Sequence, residues 1–177
     1  MHNYVRYRFI SYREREDHSL LTIREIEEKD NQQVELLIRT CLIEFNANKA
    51  GCAWEDPFLG QLYQVYQPKN SKYWVVENQG RIVGGCGIGP VLGLSNVCEL
   101  QKMYCLKEVR GIGIAKQLLD LALCFAKDYY KQCYLETFSN MKAANAFYKK
   151  HGFQLLDKPI VTSEHYACDR WYIKNLC

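Results

Sequence analysis

The sequence predicts a single α/β domain of three layers, in which helices flank a mixed sheet. Three observations support this fold class. The chain has 177 residues, which is the length of one domain. Its first half holds strand patterns that include a hairpin, and its second half alternates helix and strand patterns. Between the two halves the spacing of apolar residues changes from two, as in strands, to about 3.6, as in helices.

The first half predicts a helix with an apolar face and the strands of the hairpin. Leu21 to Ile26 alternates apolar and polar residues, which predicts the first strand. Asp30 can cap a helix that runs to about Phe45, and a weaker helix extends from about Pro57 to Tyr66. Further strands are predicted at residues 72–77, 82–88 and 97–105, the first two joined by the turn Asn78-Gln79-Gly80. The run Gly84-Gly85-Cys86-Gly87 within a strand predicts close backbone approach or a bulge.

The second half predicts two helices that each lead into a strand. Residues from Ile114 to Tyr129 place apolar side chains on one helical stripe. Cys133 to Thr137 is a predicted strand, and Asn140 to His151 is a predicted helix that Gly152 ends. The closing strands are predicted at residues 153–156 and 166–173.

Composition and charge argue against several classes of protein. The chain has 23 basic and 20 acidic residues and a net charge of +3, whereas nucleic-acid-binding domains usually carry a strong basic excess. The longest uncharged run, Ile82 to Cys98, is broken by glycines and a proline and makes a poor membrane span. Residues 1–20 hold many charges and no apolar core of signal-peptide length, so we interpret them as an arm of uncertain structure before a domain at 21–177. We expect a cytoplasmic protein that binds neither nucleic acid nor membrane.

The nine cysteines are expected to be reduced thiols of the core. Their number is odd, no two lie three residues apart, and several fall in apolar stretches. A disulfide-rich domain has the opposite features. A reactive thiolate is the alternative, but the sequence singles out no cysteine beside a histidine or a positive charge.

The segment Arg110-Gly111-Ile112-Gly113-Ile114-Ala115 leads from a predicted strand into a long helix. Glycines at a helix entrance let the backbone approach a ligand, and the unpaired N–H groups of the first turn favour an anion. Lys107 and Lys116 add positive charge nearby. The segment predicts either an anion site, most naturally for a phosphate or pyrophosphate, or a glycine-rich turn that only connects strand and helix. It is neither a Walker A motif nor a complete Gly-x-Gly-x-x-Gly motif.

This loop resembles the Q/R-x-x-G-x-G/A signature of the GNAT superfamily of acyl-CoA-dependent N-acetyltransferases. Arg110, Gly113 and Ala115 occupy its defined positions. Glu99 to Cys105 resembles the strand that precedes the signature in the family, and Ala143 to Phe153 resembles the family's late helix with its Phe-Tyr and Gly-Phe residues. The resemblance implies a mostly antiparallel sheet that splays apart between its fourth and fifth strands.

The resemblance extends over about residues 21–174 and implies that acetyl-CoA is a cosubstrate. No metal is expected. In the family, the pyrophosphate of CoA lies on backbone N–H groups of the signature loop, and the pantetheine arm lies in the opening between strands four and five. Met141 stands where many members have an asparagine that contacts the cofactor, so Asn140 and Asn145 are the expected substitutes. The other implied cofactor-binding residues are Met103, Tyr104, Cys105, Arg110, Gly111, Ile112, Gly113, Ile114 and Ala115.

The resemblance also implies that an amine attacks the thioester directly, which calls for a base and an acid. Glu99 resembles the strand-four glutamate that takes a proton from the amine in several members, and the alternative is that it only orients the amine. Tyr148 resembles the tyrosine that protonates the departing thiolate, and the alternative is a buried aromatic beside Phe147. A backbone N–H near Met103 or Cys105 can polarise the thioester oxygen.

The expected acceptor is the primary amine of a small molecule, or within the same class a protein N-terminus or lysine. A non-catalytic acyl-CoA-binding module is the alternative from another class, although such a module would not need Glu99 and Tyr148. Trp54 to Phe58, which includes Asp56, lies where family members often cover the acceptor pocket. Many relatives are dimers, so a homodimer is one assembly that the resemblance allows.

A metal site is the weaker interpretation of one C-terminal cluster. His165, Cys168 and Asp169 lie together on a predicted strand. The sequence offers no second paired ligand cluster beside them. We therefore interpret them as strand residues near the substrate end.

Overall fold

The computed structural model describes residues 21–162 and 165–176, so the predicted arm at residues 1–20 lies outside the described residues. The strands are β1 (Thr22–Glu25), β2 (Lys72–Asn78), β3 (Arg81–Val91), β4 (Leu94–Cys105), β5 (Gln132–Thr137), β6 (Gln154–Leu156) and β7 (Arg170–Asn175). The helices are α1 (Asn31–Glu44), α2 (Leu62–Val65), α3 (Ile114–Lys127) and α4 (Lys142–Lys150).

The strands form one sheet in the order β1-β2-β3-β4-β5-β7-β6. The pair β4–β5 is parallel, and the other five pairs of the described sheet are antiparallel. The parallel ladder joins only Val97–Glu99 to Gln132–Tyr134. Beyond it both strands continue without pairing to each other, so the sheet opens into a V. The predicted mixed sheet that splays between its fourth and fifth strands is confirmed.

Helices cover both faces of this sheet. Successive side chains of β2 point to opposite faces: Tyr73 and Val75 pack in the core with α1 and α2, whereas Trp74 and Val76 pack in the core with α3 and α4. All four side chains are buried. The predicted three-layer arrangement is therefore confirmed.

The glycine run of β3 allows the close approach that the sequence predicted. A Cβ at Gly85 would lie 2.8 Å from the Tyr73 ring, and a Cβ at Gly87 would lie 2.6 Å from the Tyr66 ring. The register between β3 and β4 shifts in this region, and Lys102 in the shifted part of β4 has a left-handed φ of 49°. The result is a β-bulge beside the V opening.

Asp30 precedes α1 as predicted, but it does not cap the helix with its side chain. Its buried carboxylate instead takes two hydrogen bonds from Arg24, at 2.6 and 2.9 Å, and one from the Glu27 N–H at 2.8 Å. Asp30 therefore ties the start of α1 to β1.

Two other elements are shorter than the sequence predicted. The weaker helix of residues 57–66 is a 3₁₀ turn, Leu59–Gln61, followed by the four residues of α2; glycine within the segment disfavours a longer helix. The last strand begins at Arg170 because the preceding backbone is used elsewhere. The Ala167 N–H binds the Gly51 carbonyl, and the Cys168 N–H binds the His165 carbonyl in a turn.

Of the eight cysteines that the structure describes, five follow the core prediction, two are half-buried and one is exposed. The eight described cysteines are free, and five of them are buried: Cys41, Cys52, Cys86, Cys98 and Cys133. Cys124 is exposed because it lies on the solvent side of α3. Within the described residues, the helices are too short or too polar to cross a membrane.

Candidate active site

The V between β4 and β5 opens into a cavity of about 900 Å³. Its walls come from β4, β5, the loop before α3 with the first turn of that helix, the length of α4 and the end of α1. Glu99 lies six positions before Cys105 on β4, which is about 20 Å of extended strand. The cavity therefore has two separate ends, one at Glu99 and one at the signature loop.

Two glycines give the signature loop a backbone that can approach a ligand closely. Gly111 and Gly113 have φ of 79° and 92°, a conformation that favours glycine. Gly113 is the residue directly before α3, and as a glycine it has no side chain that could cap the first turn of that helix. The N–H groups of this turn are therefore available to a ligand.

Arg110 joins the loop to α1. Its guanidinium binds both oxygens of Glu44 at 2.7 and 2.9 Å, and its Nε donates to the Cys105 carbonyl at 2.8 Å. The group also lies over the Phe45 ring, 5.3 Å from its centre. The bond from Arg110 lowers the pKa of Glu44, so the pair is ionic. This arginine braces the loop, and Lys116, Lys142 and Lys150 also line the cavity with positive charge.

The structure brings most of the predicted cofactor-binding residues to the cavity. The ones that line it are Met103, Tyr104, Cys105, Arg110, Gly111, Gly113, Ala115 and Asn140. The side chain of Ile112 is exposed and that of Ile114 is buried in the core, and neither residue lines the cavity.

Asn145 is turned away from the cavity. Its amide donates to the carbonyls of Phe138 and Met141, both at 2.8 Å, and its oxygen accepts the Tyr172 hydroxyl at 2.7 Å. These bonds fix the start of α4 against β7. The structure therefore does not place the Asn145 side chain where a cofactor could reach it, while Asn140 lines the cavity and donates to the Phe45 carbonyl at 3.3 Å.

Tyr148 is both a core aromatic and a wall of the cavity. Its ring contacts Phe147, Phe153 and Tyr172, and the residue is 8% exposed. Burial raises the pKa of Tyr148, so the phenol keeps its proton at neutral pH. It can act as a proton donor but not as a resident base.

Glu99 occupies the last rung of the parallel ladder, where the V begins. One carboxylate oxygen accepts the Gln101 amide at 2.9 Å, and the Gln101 oxygen in turn accepts the Tyr66 hydroxyl at 2.8 Å. Burial raises the pKa of Glu99, and the charge of Glu136 adds to this effect, while the Gln101 bond opposes it. A glutamate with a raised pKa is better matched to accept a proton near neutral pH.

The sequence did not identify Glu136, which lies beside Glu99. One carboxylate oxygen of each and one ring nitrogen of His165 lie within 4.8 Å of one another. His165 was expected near the substrate end, and the structure places it in the cavity wall. A charged residue within the apolar strand Cys133 to Thr137 was the signal that could have pointed to Glu136.

Asp56 lies next to this cluster and binds two residues there. It binds His165 at 2.7 Å and also binds Lys102. The bond to Asp56 raises the pKa of His165. Burial alone would raise the pKa of Asp56, but the bonds from His165 and Lys102 lower it overall. The bulged β4 residue Lys102 is thereby tied to the segment before α2.

Comparisons with known proteins agree with this geometry. A family model described as an acetyltransferase (GNAT) domain matches residues 69–155. The Escherichia coli (strain K12) protein YjgM, described as an uncharacterized N-acetyltransferase, is 41% identical over 152 residues, which cover 84% of this chain and 90% of that protein.

Solved structures share the fold. The crystal structure of a GNAT-family acetyltransferase from Staphylococcus aureus Mu50 is 25% identical, with a TM-score of 0.76 over 89% of this chain and 99% of that chain. PaiA N-acetyltransferase from Thermoplasma acidophilum, solved in complex with coenzyme A, is 17% identical, with a TM-score of 0.66 over 88% of this chain and 98% of that chain.

Proposed function

Since this chain belongs to the GNAT family and is an N-acetyltransferase, we propose that it transfers an acetyl group from acetyl-CoA to the primary amine of a small molecule. The observation that carries this proposal is the cavity in the V of the sheet. It has a glycine loop at a helix N-terminus at one end and two glutamates at the other. Such a cavity suits an anionic cosubstrate and a cationic acceptor that meet between its ends.

The signature loop would hold the pyrophosphate of CoA. The N–H groups from Gly111 to Lys116 supply donors, and the positive end of the α3 dipole favours negative charge. The pantetheine arm would follow the unpaired edge of β4 past Met103. That a structural relative, PaiA, binds coenzyme A supports this placement.

The reaction then uses Glu99 and Tyr148 in turn. Glu99 takes one proton from the acceptor ammonium, and the free amine attacks the thioester carbon. The C–N bond forms, the C–S bond breaks, and the departing thiolate takes the Tyr148 proton. The nitrogen loses its second proton to solvent, Glu99 releases the proton it took, and Tyr148 regains one from solvent. The balance is one amide, one CoA thiol and one released proton, with no covalent enzyme intermediate.

A stability measurement tests the cosubstrate site. Acetyl-CoA at about 100 times its dissociation constant should add roughly 2.7 kcal/mol, or about 5–10 °C in unfolding midpoint. Gly113→Glu should remove this rise because it places a side chain and a negative charge in the phosphate site. The matched control is Gly93→Glu, since Gly93 also has a positive φ and an added Cβ there would meet open space, but it lies in the β3–β4 turn.

Release of free CoA on addition of amines then tests the transfer. Unchanged acetyl-CoA affinity in Gly113→Glu would contradict the loop assignment. Saturable binding without transfer to any small amine or peptide N-terminus would favour the non-catalytic acyl-CoA-binding module instead.

A further inference from the structure

Glu136 has one carboxylate oxygen that no described residue pairs with. Its Oε1 accepts the Tyr134 hydroxyl at 2.8 Å. Its Oε2 is shielded from solvent and has no hydrogen-bond partner among the described residues. A buried carboxylate oxygen in this state costs free energy unless a ligand supplies a donor. Glu136 lines the cavity, so a rotation of its carboxylate would turn this oxygen toward a ligand bound there.

The spacing of the two glutamates suits an ammonium group. Oxygens of Glu99 and Glu136 lie within 4.8 Å of each other. An ammonium nitrogen that donates two hydrogen bonds of about 2.8 Å at a tetrahedral angle spans about 4.6 Å between the accepting oxygens. One nitrogen can therefore bind both glutamates, with Glu99 still placed to take its proton.

The charged groups around Glu99 and Glu136 leave an unbalanced negative charge. Lys102 and His165 both bind Asp56, whereas the hydrogen bonds that Glu99 and Glu136 receive in the described structure come from the neutral groups Gln101 and Tyr134. Cys168 also lines this end, and burial raises the pKa of its thiol to about 12, so it adds no charge. With His165 protonated, the three carboxylates Asp56, Glu99 and Glu136 face two cations, so one cationic ligand would balance the cluster.

Space for the rest of such a ligand adjoins the cluster. A second cavity, of about 410 Å³, shares Glu136, His165 and Cys168 with the first. Its described wall includes Ile160 and Trp171. An acceptor body can therefore occupy this cavity while its amine reaches Glu136.

We propose that Glu136 binds the acceptor ammonium through its free oxygen and so makes the enzyme selective for amines that are cationic. This inference rests on the proposed function and names a binding residue and a substrate class for it. Glu136 holds the ammonium beside Glu99, Glu99 removes the proton, and the acetyl group arrives from the other end of the cavity. Glu136 itself exchanges no proton.

Matched ligands test the selectivity directly. Two amines, 2-phenylethylamine and 1-aminobutane, are compared with 2-phenylethanol and 1-butanol, which have similar shapes but no charge. In the presence of saturating CoA and at constant ionic strength, the amines should raise the unfolding midpoint of the wild-type protein and the alcohols should not. Equal effects of amine and alcohol would overturn the proposal, whereas no effect of CoA itself would instead contradict the proposed function.

Substitutions then assign the effect to Glu136. Glu136→Gln keeps the size of the side chain and should raise the KM for the amines about 10- to 100-fold, as expected for a lost hydrogen bond to a charged group. Its kcat should change less than about threefold, and its affinity for acetyl-CoA should stay the same. Glu136→Asp keeps the charge, and its KM for the amines should lie between those of the wild type and Glu136→Gln. The control Glu25→Gln removes an exposed carboxylate of β1 that pairs with Lys72 and should change neither constant.

Two results would overturn the assignment while leaving acetyl transfer intact. The first is an unchanged amine KM in Glu136→Gln, with its unfolding midpoint showing that the variant folds. The second is an amine preference that disappears after EDTA treatment and returns with Zn²⁺ or Mn²⁺. That result would mean that Glu99, Glu136 and His165 hold a metal rather than the amine.

Discussion

Tyr148→Phe separates the catalytic interpretation of this tyrosine from the structural one. The ring stays, so its contacts with Phe147, Phe153 and Tyr172 are kept. The Tyr148 hydroxyl makes no hydrogen bond to another described residue, so its loss should cost less than about 1 kcal/mol of stability. If the hydroxyl protonates the departing thiolate, kcat should fall about 10²- to 10⁴-fold.

Tyr172→Phe is the matched control for this experiment. It removes a hydroxyl from the same aromatic cluster, but this hydroxyl donates to Asn145 at 2.7 Å. Losing that bond leaves a part-buried amide oxygen unpaired, which should cost about 1–3 kcal/mol. Each kcal/mol lowers the unfolding midpoint of a chain of this length by roughly 2–4 °C.

The assay measures kcat from CoA release and stability from urea unfolding, on both variants. The expected pattern is crossed: Tyr148→Phe loses turnover and keeps stability, and Tyr172→Phe loses stability and keeps turnover. Full turnover in Tyr148→Phe, at saturating acetyl-CoA and amine, would refute the acid role and leave Tyr148 a core residue.

Further predictions concern Glu99 and the glycine run. Because Glu99 must be ionised to take a proton and its pKa is raised, kcat/KM should rise with pH through that pKa. Glu99→Gln should lower the rate and abolish this rise of kcat/KM with pH. An unchanged pH–rate profile would mean that Glu99 only orients the amine. Its raised pKa also means that the folded protein loses stability as pH rises through that value, so Glu99→Gln should be more stable than the wild type at neutral pH in urea unfolding. Gly85→Ala should destabilise the fold by about 1–3 kcal/mol, because its Cβ would lie 2.8 Å from the Trp74 carbonyl and the Tyr73 ring. A fully stable Gly85→Ala variant would show that the strand spacing is looser than the structure indicates.

The fold was predictable because its strongest signals are local. The change from a period of two to a helical period marks the start of α3, and Gly113 and Gly152 mark where helices begin and end. The signature loop and the late helix resembled one family, and the family model and the relatives confirm that resemblance. These signals lie within short stretches of chain, where spacing alone carries the information.

The missed and misjudged features depend on contacts distant in sequence. Glu136 matters because the parallel ladder brings β5 beside Glu99, 37 positions earlier in the chain. Asn145 was expected at the cofactor, but it binds Tyr172 of β7. Asp30 was expected to cap α1, but its carboxylate instead forms an ion pair with Arg24 on β1. No pattern within a single segment reports which of several nearby polar groups a side chain will choose.

The short seam between β4 and β5 has a mechanical consequence. Only three residue pairs of the described sheet join β4 to β5. The width of the cleft between these strands is therefore set chiefly by the side chains packed beneath it. These include Cys98 and Leu100 from one half and Cys133 and Leu135 from the other, all buried in one core. A bulkier residue at Cys98 or Cys133 would push β4 and β5 apart and widen the cleft. A smaller residue would let the strands approach and narrow it. The reach between cosubstrate and acceptor is thus adjustable from positions that neither molecule touches.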